Sequence, residues 1–142
     1  MTPADIDRKV VTQRAAWIRE MMGALGELPL KNKKNFLQNR RNVAAAESYL
    51  RRSLEALFDI GRHILAKSFA FPATEYKEIA RGLLDKKILS EDEAELMRKM
   101  AGYRNRMVHF YHEITPEELH ELCLKHLDEI RLLLDRMLQS IK

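Results

Sequence analysis

Apolar residues recur along most of the chain at intervals of three and four positions, the spacing of one face of an α-helix. The longest run predicts a buried helical stripe made of Val43, Ala46, Leu50, Leu54, Leu57, Gly61, Ile64 and Leu65. The chain has five glycines and four prolines, too few for an all-β fold with many tight turns. The pattern therefore predicts an all-α protein.

Capping and breaking residues divide this pattern into about five helices. Ser90 with Glu93, and Thr115 with Glu118, form two capping boxes, and Pro72 ends the long helix before it. The predicted helices are Pro3–Leu25 with Thr2 as N-cap, Phe36–Phe69, a short helix capped by Thr74, a helix from Ser90 to Val108 or Tyr111, and Thr115–Ile141. Short connections between helices of this length are typical of an antiparallel bundle.

Length and composition indicate one domain, residues 1–142, with 46% hydrophobic and 32% charged residues. No apolar run approaches the roughly 18 residues of a membrane span, and the polar N-terminus is unlike a secretory signal. The single cysteine, Cys123, excludes an intramolecular disulfide, a Cys-rich zinc site and a CxxC redox centre. We therefore expect a cytoplasmic protein with no membrane segment, no metal site and no cofactor.

The formal net charge is only +4, but it is unevenly spread. Between residues 31 and 52, seven basic residues face a single acid, Glu47, whereas from residue 113 onward seven acids face four bases. Such a basic patch suits the phosphates of RNA or of a nucleotide. A solvated helix face is an equally good interpretation of a charge run.

The segment from residue 101 to 112, AGYRNRMVHFYH, carries the candidate chemistry. On a regular helix its apolar side continues a stripe made of Leu96, Met100, Tyr103, Met107 and Phe110. Arg104 and Tyr111, seven positions apart, lie almost above each other at the edge of that stripe. Arg104 and His109 are about 140° apart around the helix axis, so one helix cannot aim both side chains at one atom.

Two arrangements would bring these side chains together. Either the helix deforms near His109, or a second copy packs alongside and the two copies share a cleft. The second arrangement supplies two imidazoles, which can act as base and acid while the 2′-hydroxyl of RNA attacks its own phosphodiester, each near its ordinary pKa of about 6.5. Two guanidiniums would stabilise the charge on the phosphoryl oxygens. This chemistry needs no metal, and no carboxylate cluster that would hold one is apparent.

The motif Arg104-x4-His109-x-Tyr111 resembles the Arg-x4-His-x-Tyr signature of HEPN domains, and in particular that of the HepT toxins of HepT/MntA toxin–antitoxin pairs. Asn105, a polar residue directly after the arginine, fits the same signature. Further stretches that resemble the family are Tyr49–Ala66, Glu75–Ala80 and Met100–His109, within an overall likeness from about Val43 to Ile141.

The resemblance implies a helical homodimer whose cleft lies between the protomers and which acts as a metal-independent ribonuclease, with tRNA as the expected substrate. Arg104 and His109 would be its catalytic pair. Tyr111 matches the position at which HepT toxins are AMPylated, and thereby silenced, by an MntA nucleotidyltransferase. Asn105 either contributes to catalysis or caps a nearby backbone carbonyl, and the role of Arg106 is open.

Other residues allow more than one interpretation. Asp59 and His63, one turn apart and both at positions that match the family, either orient a catalytic group or a partner protomer, or form an ordinary surface pair. Core or dimer packing is favoured over another partner surface for Trp17, Met21 and Met22. The residues expected not to bind a metal are His112, His120 and His126, and Cys123 is expected in the core.

Two other function classes remain as alternatives. Some HEPN domains that accompany nucleotidyltransferases are non-catalytic helpers that bind substrate or partner, but such a module would be expected to lose Arg104 or His109. A plain RNA-binding bundle would be expected to carry aromatic stacking platforms, which are not evident. The presence of both motif residues therefore favours a ribonuclease toxin that AMP transfer to Tyr111 silences.

Overall fold

The computed structural model describes residues 6–109 and 114–141, and over these ranges the chain consists of helices and loops without a β-strand. This confirms the all-α prediction. The helices of the described ranges, in chain order, are α1 (Arg8–Gly26), α2 (Lys33–Gln38), α3 (Arg40–Phe69), α4 (Tyr76–Asp85), α5 (Glu91–His109), α6 (Pro116–Lys125) and α7 (Leu127–Gln139).

The helix count differs from the prediction because two predicted helices are each divided. The long helix breaks at Asn39, whose backbone is extended, with φ −111° and ψ 110°. The Asn39 side chain accepts a hydrogen bond from the Arg41 N–H over 2.9 Å, and this competition for backbone groups ends α2 and caps α3. The last predicted helix breaks at His126, where φ is −117°. The described residues therefore form seven helices, and the prediction of five was wrong.

Two predicted helix starts also differ. The N-cap of α1 is Asp7, whose carboxylate accepts hydrogen bonds from two N–H groups of the first turn. The predicted cap, Thr2, lies outside the described residues. The N-cap of α4 is Glu75, whose side chain makes no capping hydrogen bond, so the prediction of Thr74 as the cap was wrong.

The capping box at Ser90 is confirmed in both directions. The Ser90 N–H donates to Glu93 Oε1 over 2.9 Å, and Ser90 Oγ accepts from the Glu93 N–H over 3.2 Å. At α6, Thr115 Oγ1 accepts from the Glu118 N–H over 3.1 Å. The Glu118 carboxylate, however, pairs with Arg106 of α5. In the second capping box, the hydrogen bond to Thr115 is therefore formed, whereas the return contact from the Glu118 side chain is replaced by this ion pair.

The central element is α3, which packs against each of the other six helices of the described ranges. Its predicted stripe is buried from Ala46 to Leu65, and only Val43 is partly exposed. Gly61 allows α4 to approach closely, because a Cβ atom there would lie 2.8 Å from Ile79 Cγ2. Within the described residues, no helix combines the length and apolar character needed to cross a membrane.

Candidate functional site

The candidate motif lies on the second half of α5, and the first half fixes its position. The α5 residues that the core buries are Glu93, Ala94, Met97, Met100 and Ala101. Because α3, α4 and α7 all pack on α5, this buried face is shifted from the predicted apolar stripe. The stripe members that are only partly buried are Leu96, Tyr103 and Met107, and Phe110 lies outside the described residues. The second half of α5 is thus anchored to the core and still reachable by a ligand.

The Arg104 guanidinium is held against α3 by Glu55. Its Nη2 atom donates to Glu55 Oε2 over 2.9 Å, and its Nε atom donates to the same oxygen over 3.3 Å. The other oxygen, Glu55 Oε1, accepts from Arg51 Nη1 over 3.1 Å. Only 21% of the Arg104 side chain is exposed. Its orientation is therefore set within the fold before any ligand arrives.

Tyr76, at the start of α4, provides the second support for Arg104. The Arg104 Cζ atom lies 4.7 Å from the centroid of the Tyr76 ring, at cation–π distance. The ring itself stacks on the buried Phe58, with centroids 4.4 Å apart and planes 4° from parallel. Burial raises the pKa of the Tyr76 phenol, against the opposing effect of the Arg104 charge. Tyr76 therefore acts here as a neutral aromatic platform.

Sequence reasoning missed the roles of both Glu55 and Tyr76. The sequence places Tyr76 in the family-like stretch Glu75–Ala80 and Glu55 in the stretch Tyr49–Ala66, but assigns neither residue a role. The position of Glu55 four residues after Arg51 indicates a helical ion pair, which is present at 3.1 Å. Its contact with Arg104 joins residues 49 positions apart and depends on how α3 and α5 pack.

A surface cleft of about 460 Å³ opens beside Arg104. The residues that line it are Thr74, Glu75, Tyr76, Lys77, Arg104 and Asn105. The first turn of α4 borders the cleft, and helix N-termini favour negative charge. A guanidinium, a lysine and a helix start, set against the carboxylate of Glu75, suit a phosphate-bearing ligand.

The two residues after Arg104 have separate roles. Asn105 Oδ1 accepts a long hydrogen bond, 3.4 Å, from Arg104 Nη1. Arg106 forms a two-pronged pair with Glu118 of α6, with N···O distances of 2.7 and 2.9 Å. The hydrogen bond from Arg106 lowers the pKa of the Glu118 carboxyl below its ordinary value. Asn105 thus belongs to the Arg104 cleft, whereas Arg106 joins α5 to α6.

Asp59 and His63 do not form the predicted pair. Asp59 pairs with Arg62 at 3.2 Å and, more loosely, with Arg14 of α1 at 3.8 Å. His63 Nε2 instead accepts a hydrogen bond from the Asp7 N–H over 3.1 Å. Burial lowers the pKa of His63, which favours the neutral, accepting imidazole. The prediction of an Asp59–His63 surface pair was therefore wrong, because Asp59 pairs with arginines and His63 with the backbone before α1.

The remaining motif residues lie at the limit of what the structure describes. α5 continues as one helix to His109, so positions 104 and 109 are about 140° apart around its axis. Tyr111, the predicted site of modification, lies outside the described residues.

The model of the family described as "Ribonuclease HepT-like" matches residues 18–137, most of the chain. The chain belongs to the HepT-like ribonuclease family. No curated protein matches it in sequence.

Solved structures of low sequence identity share the HepT-like fold. A chain in a crystal structure of a toxin–antitoxin with AMP-PNP matches with a TM-score of 0.82 at 19% identity, covering 90% of this chain and 97% of that one. The tri-AMPylated HEPN toxin of Shewanella oneidensis in complex with MNT antitoxin matches with a TM-score of 0.82 at 19% identity, covering 92% of this chain and 97% of that one. YutE of Bacillus subtilis, a cytosolic protein of unknown function, matches with a TM-score of 0.82 at 18% identity, covering 97% of this chain and 92% of that one.

The remaining candidate residues, away from the HepT-like motif, lie in the core or contact neighbouring groups of the fold. His120 is buried with Nε2 2.6 Å from the Leu30 carbonyl oxygen, and His126 Nδ1 lies 2.8 Å from Glu129. Cys123 lies in the core as predicted, where burial raises its thiol pKa to about 12. The described residues include no group of three or more His, Cys, Asp and Glu side chains that could hold a metal ion.

Proposed function

We propose that this chain is the toxin of a HepT/MntA-type pair and acts as a metal-independent endoribonuclease, with tRNA as the expected substrate. The observation that supports this most directly is the Arg104 guanidinium, which Glu55 and Tyr76 orient beside a cleft suited to phosphate. A fixed guanidinium stabilises transition-state charge better than a mobile one, because no reorganisation is needed during the reaction.

In the proposed reaction, the 2′-hydroxyl oxygen of RNA bonds to the adjacent phosphorus while its proton passes to one imidazole. The bond from phosphorus to the 5′-oxygen breaks, and that oxygen takes a proton from a second, protonated imidazole. The two imidazoles are His109 of each copy in a homodimer. Arg104 stabilises the phosphoryl oxygens. Its longest contact, 3.4 Å to Asn105, is the one that a phosphate oxygen replaces with least loss.

The angle between positions 104 and 109 supports the proposed homodimer. One regular helix does not direct both side chains at the same phosphate, and a second copy would complete the site. Light scattering on the active protein tests this. A monomer at micromolar concentration with full activity would exclude the shared cleft.

Cleavage itself is tested with the purified chain and tRNA. We expect cleavage to survive EDTA and to be lost in His109→Ala. The matched control is His126→Ala, which removes a partly exposed histidine paired with Glu129 and should cut at the wild-type rate. Undiminished cleavage by His109→Ala would remove the assignment, and loss of cleavage in EDTA would remove the metal-independent mechanism.

The proposed silencing acts through AMP transfer to Tyr111 by an MntA-like nucleotidyltransferase. The Shewanella oneidensis complex, a tri-AMPylated HEPN toxin with MNT antitoxin, supports this class of control. Tyr111 follows Arg104 by only seven residues in the sequence, and a phosphate added there would compete for the guanidinium. Intact-mass spectrometry after incubation with partner and ATP should find AMP on the wild type and on Tyr103→Phe, but not on Tyr111→Phe. Equal modification of all three would refute it.

A further inference from the structure

A second cleft lies between α1 and α3 and is lined by residues of these two helices. Its volume is about 410 Å³, and we call it the Trp17 cleft. The residues that line it are Gln13, Arg14, Trp17, Arg52, Glu55, Ala56 and Asp59. Trp17 is the only tryptophan of the chain, and 38% of it is exposed even though Ile18 beside it is fully buried. An indole at the surface of a cleft offers a flat face to a ligand, so the described residues do include an aromatic platform that was not evident from the sequence.

The cations of the Trp17 cleft are available to a ligand. Arg52 is exposed and pairs with no carboxylate of residues 6–109 or 114–141. The Arg14 pair with Asp59 is long, 3.8 Å, and both side chains are nearly half exposed, so it contributes little. Exposed guanidiniums in one cleft with an aromatic ring form a combination that single-stranded nucleic acids bind.

Glu55 connects the Trp17 cleft to the proposed catalytic cleft. It lines the Trp17 cleft, and its Oε2 atom bonds Arg104, which lines the other. The lining of the two clefts includes four cations and three carboxylates, and these residues are Arg14, Arg52, Lys77, Arg104, Glu55, Asp59 and Glu75. Both clefts therefore offer guanidinium groups to the phosphates of one bound chain.

We propose that an RNA strand bound at Arg104 continues past Glu55 into the Trp17 cleft, where a base stacks on the indole and a phosphate pairs with Arg14 and Arg52. This inference rests on the proposed ribonuclease function and assigns the site that holds the substrate beside the cleaved bond. Stacking is tolerant of sequence, because every base has a π-face. The Trp17 cleft thus adds affinity for single-stranded RNA and little sequence specificity.

A second copy of the chain is the weaker occupant. If this face lay on a two-fold axis, the exposed Arg52 of one copy would approach Arg52 of the other, and this like-charge contact would oppose association. RNA neutralises that charge.

The test uses the fluorescence of Trp17, which reports on this cleft alone because the chain has no other tryptophan. The protein carries His109→Ala so that a short single-stranded RNA stays intact during titration. We expect the RNA to quench the emission, and the quenching to follow the binding curve from the anisotropy of labelled RNA. Binding without quenching would overturn the inference while leaving the ribonuclease proposal untouched. Quenching by RNA that the wild type does not cleave would support this site and count against the ribonuclease.

Variants separate stacking from general charge. Trp17→Ala should weaken RNA binding about tenfold, the usual loss for one stacked base, whereas Trp17→Phe should retain most of it. Phe69→Ala is the matched control, since Phe69 is also 38% exposed and lies beside a lysine, with Lys86 Nζ 5.6 Å from its ring. Equal losses in Trp17→Ala and Phe69→Ala would overturn the inference. Trp17 emission that changes when the protein is diluted, and not when RNA is added, would also overturn the inference, because it would place a second copy of the chain on this face.

Discussion

The two halves of α5 differ sharply although they form one continuous helix. The half before Gly102 begins with a reciprocal capping box and buries Met97 and Ala101 at 0% exposure. From Gly102 onward, every described side chain is at least partly exposed, and Arg104 and Arg106 reach carboxylates on other helices. The first half therefore supplies the free energy that positions the helix, and the second half presents the chemistry.

The ion pairs of the second half show that a contact can orient a side chain without adding much to the stability of the fold. Arg104 is 21% exposed and Glu55 30%, so the gain from their attraction is largely offset by the water that both groups lose. Such pairs contribute little net stability, yet they hold a guanidinium in one direction. Substitutions in the two halves should accordingly affect different measurements.

The largest expected effect is on catalysis. Arg104→Ala should lower kcat/KM for RNA cleavage by about a hundredfold or more, as when one charge-stabilising donor is removed. The fold should persist, because Glu55 keeps its pair with Arg51. Steady-state cleavage and circular dichroism measure the two outcomes.

Arg98→Ala is the control for this change, since Arg98 lies on the same helix and pairs with the exposed Glu95. We expect it to match the wild type in both measurements. An Arg104→Ala protein that is fully active, or one that fails to fold, would contradict the division between the two halves.

The next effect is on stability and belongs to the first half. Met97→Ala removes a fully buried side chain and should lower the free energy of unfolding by about 2–5 kcal/mol. Met107→Ala, in the partly exposed second half, should lower the free energy of unfolding clearly less. Urea denaturation measures both variants. Equal losses would show that the second half is as firmly packed as the first.

A smaller effect concerns pH and Glu93, at the start of α5. Burial alone would raise the pKa of Glu93, but hydrogen bonds from Ser90 and Arg136 outweigh it and hold that pKa below its ordinary value. A lowered pKa in the folded state stabilises the protein above the unfolded pKa, and this contribution is lost as the pH falls through the folded value. Glu93→Gln should therefore lower the free energy of unfolding by about 1–2 kcal/mol at neutral pH, and this loss relative to the wild type should shrink in acid.

The control for Glu93 is Glu91→Gln, an exposed glutamate in the same helical turn. It should change the free energy of unfolding little at any pH. A Glu93→Gln protein whose deficit stays constant down to acid pH would place the stabilisation in packing and not in the charge.

The sequence predicted what short-range rules determine. The Ser90 capping box and the end of α3 before Pro72 depend on neighbouring residues, and both are confirmed. The Arg104 motif was also recognisable, because its residues are close in the chain. The division at Asn39 was not predicted, since a single side-chain hydrogen bond decides it against strong helical periodicity. The support of Arg104 by Glu55 depends on the packing of α3 against α5, which no local pattern encodes.

The smallest expected effect lies at the junction of the two halves. A Cβ atom at Gly102 would have no neighbour within 4 Å, so Gly102→Ala can be accommodated without strain. Alanine should raise the free energy of unfolding by about 0.5–1 kcal/mol, because it loses less backbone entropy than glycine in a helix. The control is Gly61→Ala, whose Cβ would lie 2.8 Å from Ile79 Cγ2 and should destabilise the protein in the same thermal melts. RNA cleavage by Gly102→Ala should equal that of the wild type if α5 presents Arg104 as a rigid rod. A more stable protein that cleaves more slowly would mean that the second half must bend relative to the first during the reaction.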